Sequence, residues 1–173
     1  LYTNPILLER LKHKKYEKWE EEALLNCYNS TTKELDSLKI KIKEIQGGFL
    51  GAKCQYCGIS APDSFDHYLP KSVFPEFSVY SYNLIPCCPK CNLQKSNAWI
   101  HKRPRRRLII NFYYDELPSD QYLFIKLKYN AKLNMFKTSF ILRNRGRIDA
   151  KLFKIIKAHY KKLNLFERFE PEI

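Results

Sequence analysis

Four of the six cysteines form two close pairs, Cys54 with Cys57 and Cys88 with Cys91. Each pair has the Cys-x-x-Cys spacing, which lets both sulfur atoms of one turn face the same point, and two such turns can surround a zinc ion tetrahedrally. A redox-active dithiol is the alternative for either pair alone, but two pairs in one short region favour zinc. Because four thiolates leave no open coordination position, we predict a structural Zn²⁺ site. The remaining two cysteines have no partner at this spacing and are interpreted as free thiols.

Residues that could bind a second metal and move a proton lie between and beside these pairs. Asp66 directly precedes His67, and Asn92 directly follows the last cysteine. A histidine has an unperturbed pKa of about 6.5, so His67 can act as a general base near neutral pH, although a lone histidine in a strand is more often structural. Asp66 and Asn92 offer a carboxylate and an amide oxygen, the hard ligands that suit Mg²⁺ or Mn²⁺. Together these residues predict metal-assisted hydrolysis of a phosphodiester.

The motif D-H, then N, then C-N-x-x-K begins at Asp66, passes through Asn83 and ends at Lys95. Framed by two zinc knuckles, it resembles the HNH endonucleases of the ββα-metal (His-Me finger) superfamily over residues 54–97. The closest pattern is the zinc-bearing branch, which includes phage junction-resolving endonucleases and HNH proteins of bacterial anti-phage defence. The third letter of the family name is often histidine. Its replacement by Asn92 bears on metal preference more than on activity.

The resemblance implies a role for each residue of the motif. Asp66 and Asn92 would hold the catalytic divalent metal, and His67 would be the general base. Asn83 would not touch the metal but would tie the loop between two strands, so that His67 points at the attacking water. Lys95 would contact a phosphate near the start of the helix.

The resemblance also implies an activity and partners. We expect a metal-dependent endonuclease that cleaves DNA, with RNA as the alternative substrate, acting in anti-phage defence. Several relatives of this kind work beside an ATPase, which would dock here on the N-terminal helices. The alternative function is a catalytically silent, zinc-stabilised nucleic-acid-binding module. The sequence makes no prediction of oligomeric state.

The charge of the chain independently favours a polyanionic partner. The net charge is +13 and the isoelectric point is about 9.5, but excess charge alone does not locate a binding surface. Residues 101–107 concentrate the charge in the sequence H-K-R-P-R-R-R. A solvated linker is the alternative interpretation of this segment. We predict that its basic side chains contact nucleic acid, namely His101, Lys102, Arg103, Arg105, Arg106 and Arg107.

Around the motif, the pattern predicts an α+β protein in three parts. Residues 1–48 would form an N-terminal helical hairpin, with a first helix from Asn4-Pro5 and a second from Thr31 to Gly47. Residues 49–100 would form a ββα-metal HNH core framed by the four-cysteine zinc site. Its strands are predicted at residues 65–68 and 83–87. Its helix would open at Asn92 and carry Trp99 on the buried side.

Residues 101–173 would form a basic segment and a C-terminal β/α extension. Strands are predicted at residues 108–114, 122–129 and 133–142, which are rich in β-branched and aromatic residues. A final helix is predicted at residues 148–166, where apolar residues recur on one face.

The amino-acid composition limits the classes of protein to which the chain could belong. An apolar fraction of 45% is ordinary for a globular chain. No apolar run approaches the roughly 18 residues of a membrane span, and no signal region opens the chain, so we expect a soluble, cytoplasmic protein without a membrane partner. The chain begins at Leu1 rather than methionine, which leaves its N-terminal boundary open.

Overall fold

The structure is a computed structural model that describes residues 8–169, with only the backbone of residues 49–50. The first described helices are α1 (Lys18–Asn29), α2 (Lys33–Gln46) and the short α3 (Gly48–Ala52). The predicted start of the first helix at Asn4-Pro5 lies outside the described residues. Residues 11–17 have no regular secondary structure, so α1 is shorter than the pattern suggested.

The caps of these helices differ from the predicted ones. The side chain of Thr32, one residue later than the predicted Thr31, accepts a hydrogen bond from the backbone N–H of Leu35 at 3.1 Å and starts α2. A capping box begins α1, where the Glu17 and Glu20 side chains accept hydrogen bonds from each other's backbone N–H groups. The predicted end of α2 at Gly47 is confirmed, because this glycine has a φ of 60° and closes the helix.

The centre of the fold is a ββα unit. Strand β1 (Ser64–His67) pairs antiparallel with β2 (Leu84–Cys87), and helix α4 (Pro89–Lys95) follows. Two 3-10 helices, Pro75–Phe77 and Ser81–Asn83, shape the connection between the strands. Both predicted strands are confirmed with a shift of about one residue.

Helix α4 begins before the predicted position. Cys88 is its N-cap and Pro89 fills its first turn, a position that suits proline. The prediction that the helix opens at Asn92 is therefore wrong, since Asn92 lies inside it. Trp99 lies beyond the helix but is buried, and its ring packs edge-on against Phe74 with centroids 5.5 Å apart.

The basic segment forms a small hairpin of β3 (Ile100–Lys102) and β4 (Arg105–Arg107). The strand predicted at residues 108–114 is wrong. Turns occupy this segment, because the Asp115 carboxylate accepts the backbone N–H of Asn111 at 2.8 Å and draws the chain into a bend.

The C-terminal part contains a long hairpin and two helices. Strands β5 (Leu123–Asn130) and β6 (Met135–Leu142) agree with two predicted strands. Helix α5 (Ala150–Lys162) is followed by α6 (Leu165–Phe169). The single helix predicted at residues 148–166 is thus interrupted at Asn164, whose φ of 49° is left-handed.

A buried cluster of apolar side chains joins all three predicted parts of the chain. It contains Leu8 from the N-terminal part, Tyr56 from the ββα region, and Ile109 and Leu163 from the C-terminal part. Small antiparallel sheets and helices surround it, which confirms the α+β class. Among residues 8–169, no helix is both long and apolar enough to span a bilayer.

Candidate active site

The four paired cysteines converge beneath the ββα unit. Their sulfur atoms all lie within 4.8 Å of one another, and all four side chains are buried. A tetrahedral zinc site with Zn–S bonds of about 2.3 Å has S–S edges of about 3.8 Å. The Cys57 to Cys88 separation of 3.9 Å agrees with this edge. The first turn closes because Gly58 takes a φ of 69° and donates its N–H to the Cys54 carbonyl at 2.7 Å. The donor set therefore fits Zn²⁺.

A guanidinium group from α6 lies against this cluster. Arg168 Nη1 donates to Cys91 Sγ at 3.0 Å, and Nη2 lies 3.5 Å from Cys57 Sγ and 3.6 Å from Cys88 Sγ. Four thiolates and one zinc ion carry a net charge of −2, so the arginine offsets part of that charge. No sequence pattern predicts this contact, because Arg168 lies far along the chain from the knuckles.

The residues predicted to take part in catalysis line one cleft, which has a volume of about 950 Å³. Asp66 and His67 enter it from the end of β1, and Asn92 enters from the second turn of α4. Helix α2 supplies the facing wall. The cleft therefore lies between the ββα unit and the N-terminal part.

His67 has one ring nitrogen already engaged. Nε2 lies 2.8 Å from the carbonyl oxygen of Ser78. A carbonyl only accepts, so Nε2 carries the proton in the neutral ring and Nδ1 is the basic atom. Burial lowers the pKa of His67 to about 4. The imidazole is therefore neutral at physiological pH, the form that a general base needs.

Tyr28 of α1 packs against this imidazole. The two rings meet edge to face with centroids 4.3 Å apart. Tyr28 also accepts cation–π contacts from Lys39 at 5.0 Å and Lys71 at 4.7 Å. Motif reasoning missed this residue, because no feature of the sequence relates α1 to β1.

Asp66 is part of a buried polar cluster. Its Oδ2 atom accepts a hydrogen bond from the Tyr56 hydroxyl at 2.7 Å and forms an ion pair with Lys95 Nζ at 2.8 Å. Burial raises the pKa of the Asp66 carboxyl, while Lys95 and Tyr56 oppose that rise. Neither contact uses Oδ1, so this oxygen is available to a metal on the cleft side.

The amide of Asn92 has a defined orientation. Its Nδ2 atom donates to the Phe65 carbonyl at 3.2 Å and to Ser64 Oγ at 3.4 Å. The amide nitrogen is thereby tied to β1, which leaves the Oδ1 oxygen as the ligand atom. A carboxylate oxygen and an amide oxygen on one cleft fit a hard divalent ion such as Mg²⁺ or Mn²⁺.

Asn83 is fully buried behind the site. Its Oδ1 accepts from the Leu69 N–H at 2.8 Å, and its Nδ2 donates to the carbonyls of Leu69 and Phe77 at 3.0 Å each. Phe77 precedes Ser78, the hydrogen-bond partner of His67. Asn83 thus fixes the loop that orients the imidazole.

Lys95 does not occupy the predicted position. It is fully buried, and its Nζ donates to the His67 carbonyl at 2.7 Å as well as pairing with Asp66. The ammonium group points inwards because the short helix α4 packs on β1. Contrary to the prediction, it is not free to contact a phosphate.

Two arginines of the basic segment are also engaged within the protein. Arg107 is buried and forms a two-pronged ion pair with Asp115, with both N–O distances 2.7 Å. Arg105 donates to the backbone carbonyls of Glu9 and Leu11 at 2.7 and 3.0 Å. Because Arg107 is buried against Asp115, the prediction that its guanidinium contacts phosphate is wrong. Arg105 is exposed and uses two of its nitrogen atoms on these carbonyls, so its contact with nucleic acid stays a prediction.

The rest of the basic segment lies away from the cleft. The side chains of His101, Lys102 and Arg103 are exposed, and that of Arg106 is half-buried. Within residues 8–169, the cleft wall includes none of residues 101–107. Nucleic-acid contact by these four residues, and by Arg105, stays a prediction.

The zinc-framed ββα unit, with a histidine and two oxygen donors on one cleft, defines a class of nuclease domain. Residues 54–98 match the HNH endonuclease family, which confirms the predicted domain for this segment. Protein ea31 of Escherichia phage lambda is 48% identical over 44 residues, a stretch that covers 25% of this chain and 15% of that protein. No solved structure matches the chain significantly.

Proposed function

We propose that the protein is a metal-dependent endonuclease that hydrolyses DNA phosphodiester bonds in the cleft between α2 and the ββα unit. The observation that carries this proposal is the convergence of Asp66, His67 and Asn92 on one cleft. The match of residues 54–98 to a nuclease family supports the same chemistry.

His67 acts as the general base. Its Nε2 keeps its proton and donates a hydrogen bond to the Ser78 carbonyl, so Nδ1 accepts the proton of the attacking water. The water oxygen bonds to phosphorus while the bond from phosphorus to the leaving oxygen breaks. Asn83 keeps Ser78 in place through the loop, so that Nδ1 is oriented before substrate binds.

Asp66 and Asn92 hold the divalent metal through their free Oδ1 atoms. When bound, the metal supplies positive charge to the phosphate in the transition state. Lys95 and Tyr56 hold the carboxylate by its other oxygen, which fixes the direction of the ligand atom. The four-cysteine zinc site has a structural role.

Supercoiled plasmid tests the proposal. We expect cleavage that requires Mg²⁺ or Mn²⁺ and falls at least about a hundredfold in His67→Ala, the usual contribution of a general base. His13→Ala is the matched control, because His13 is an exposed histidine outside the cleft. Equal cleavage by His67→Ala and the parent would contradict the proposal. DNA binding without turnover in either metal would favour the silent binding module instead, and a labelled RNA in parallel tests the alternative substrate.

The proposed role in anti-phage defence includes an ATPase partner on the N-terminal helices. Trp19 and Ile45 are 71% and 75% exposed there and offer apolar contacts. Truncation of residues 1–48 would also remove a wall of the cleft. Trp19→Ala with Ile45→Ala is therefore the better test: we expect it to abolish co-purification with an ATPase and to leave DNA cleavage unchanged.

A further inference from the structure

Helix α2 presents a narrow stripe of side chains to the cleft. The stripe consists of residues spaced by three and four positions, which share one helical face. Its members are Asp36, Lys39, Ile40 and Lys43. Lys71 reaches the same cleft from the loop after β1. Three ammonium groups thus border the cleft that contains His67.

Aromatic rings, more than carboxylates, support these ammonium groups. Lys43 Nζ lies 5.5 Å from the centroid of the Phe65 ring, and Lys39 and Lys71 share the Tyr28 ring. Lys39 is 3.9 Å from an Asp36 oxygen, too long for a strong hydrogen bond. Lys71 Nζ also donates to the Asn29 amide oxygen at 2.6 Å. Rings and a neutral amide thus hold these lysines at the cleft, while their charge remains available to an anion.

The charge of the cleft favours a polyanion. The carboxylates along its wall belong to Asp36, Asp63 and Asp66, and the last is already paired with the buried Lys95. The three cleft lysines therefore oppose two carboxylates without a buried partner. A divalent metal on Asp66 would increase the excess of positive charge.

We propose that Lys39, Lys43 and Lys71 bind the backbone phosphates that flank the scissile one, so that α2 forms half of the nucleic-acid site. The identity of the ligand rests on the proposed function. A phosphodiester placed at Asp66 and His67 brings its neighbouring phosphates to the walls of the same cleft. The main nucleic-acid surface then lies on the N-terminal part instead of residues 101–107.

The same helix provides a matched control. Lys33 and Lys41 are exposed, lie outside the cleft, and Lys41 pairs with Glu44 at 3.3 Å. Lys33→Ala with Lys41→Ala removes the same charge from the same helix as Lys39→Ala with Lys43→Ala. A difference between the two double variants therefore reports the location of the charge.

Fluorescence anisotropy with a labelled 20-base-pair duplex in EDTA measures binding without cleavage. We expect the Lys39→Ala/Lys43→Ala protein to bind at least about tenfold more weakly than the control double variant. Each lost phosphate contact should reduce the slope of log K against log salt concentration by about 0.9, or about 1.8 for the pair. Lys39→Arg/Lys43→Arg should restore binding, which shows that charge and not folding was lost. Lys71→Ala alone should reduce the slope by about 0.9.

Equal binding and equal salt slopes in the two double variants would overturn the inference. This result is independent of the nuclease proposal. Suppose that the parent cleaves plasmid but the cleft and control double variants bind the duplex equally. The nuclease proposal is then supported, and the proposal that Lys39, Lys43 and Lys71 bind phosphates is wrong. If no metal supports cleavage but the cleft variants alone lose binding, the lysines bind nucleic acid and the nuclease proposal is wrong.

Discussion

Asn83 shows how a residue without direct contact to substrate can control the site. Its side-chain amide forms hydrogen bonds with Leu69 and Phe77, and the carbonyl of the next residue, Ser78, accepts a hydrogen bond from His67 Nε2. Removal of the amide takes this partner away from the Leu69 N–H and from the carbonyls of Leu69 and Phe77. The loop can then shift, and Nδ1 loses its fixed direction.

We expect Asn83→Ala to lower the free energy of unfolding by about 2 to 3 kcal/mol, because each lost buried hydrogen bond costs about 1 kcal/mol. Cleavage should fall at least about tenfold at saturating DNA, while binding in EDTA stays within about twofold of the parent. Asn26→Ala, on the exposed side of α1, should change neither. Parallel losses of binding and cleavage would show that Asn83 supports the fold and not the orientation of His67.

The residue types of the site could be predicted, but not their burial. Asp66, His67 and Asn92 stand next to a recognisable spacing of cysteines, so their identity and order carried the information. Lys95 follows the same motif, yet its ion pair with Asp66 depends on how closely α4 packs on β1. Tyr28 belongs to no motif, and only the tertiary structure brings it to His67.

At the scale of elements, local signals predicted helices and strands better than their ends. Enrichment in β-branched and aromatic residues located β5 and β6, and the apolar face located α5. Residues 108–114 have the same composition as a strand, but Asp115 bends the segment and Ile109 and Ile110 are buried in different clusters. Composition could not distinguish burial in a turn from pairing in a sheet.

Helix α6 is held by tertiary contacts, one of them with the cysteine cluster. Its five residues are too few for a stable isolated helix. Buried Leu165 packs it into the core, and Arg168 connects it to Cys57, Cys88 and Cys91, so hydrogen bonds to the cysteine sulfurs also position the helix.

We expect Arg168→Ala to release zinc about three- to tenfold faster in a colorimetric chelator assay. Loss of the guanidinium removes hydrogen bonds that stabilise thiolates against protonation and exchange. Arg168→Lys should restore part of the difference, because it keeps the charge but not the branched geometry. Arg10→Ala, at an exposed arginine, is the control. Zinc release at the parent rate from Arg168→Ala would show that the contact does not stabilise the centre.

For the whole molecule, His159 links parts that are distant in sequence. It lies on α5, fully buried, and its Nε2 donates to the Tyr56 carbonyl of the first zinc knuckle at 2.9 Å. Its Nδ1 accepts the Ile110 N–H at 3.3 Å. These two bonds require a neutral ring, and burial lowers the pKa of His159 to about 4. The C-terminal helix, the turn segment and the zinc knuckle therefore share one pH-sensitive contact.

The pKa of His159 is about 4 in the folded protein and about 6.5 when unfolded, so between these values the unfolded chain binds more protons. The contribution of His159 to the free energy of unfolding should therefore be constant above about pH 7 and decrease as the pH falls through 6.5 towards 4. For His159 alone, the expected loss between pH 7.5 and pH 5 is about 2 kcal/mol. His67, whose pKa is also about 4, adds a loss in the same direction.

The variant His159→Gln keeps a hydrogen-bond donor for the Tyr56 carbonyl but does not titrate. Between pH 7.5 and pH 5, the free energy of unfolding of the parent should therefore fall by about 2 kcal/mol more than that of this variant. Urea unfolding at each pH, with zinc content measured in parallel, tests this difference, and equal losses in the two proteins would contradict it.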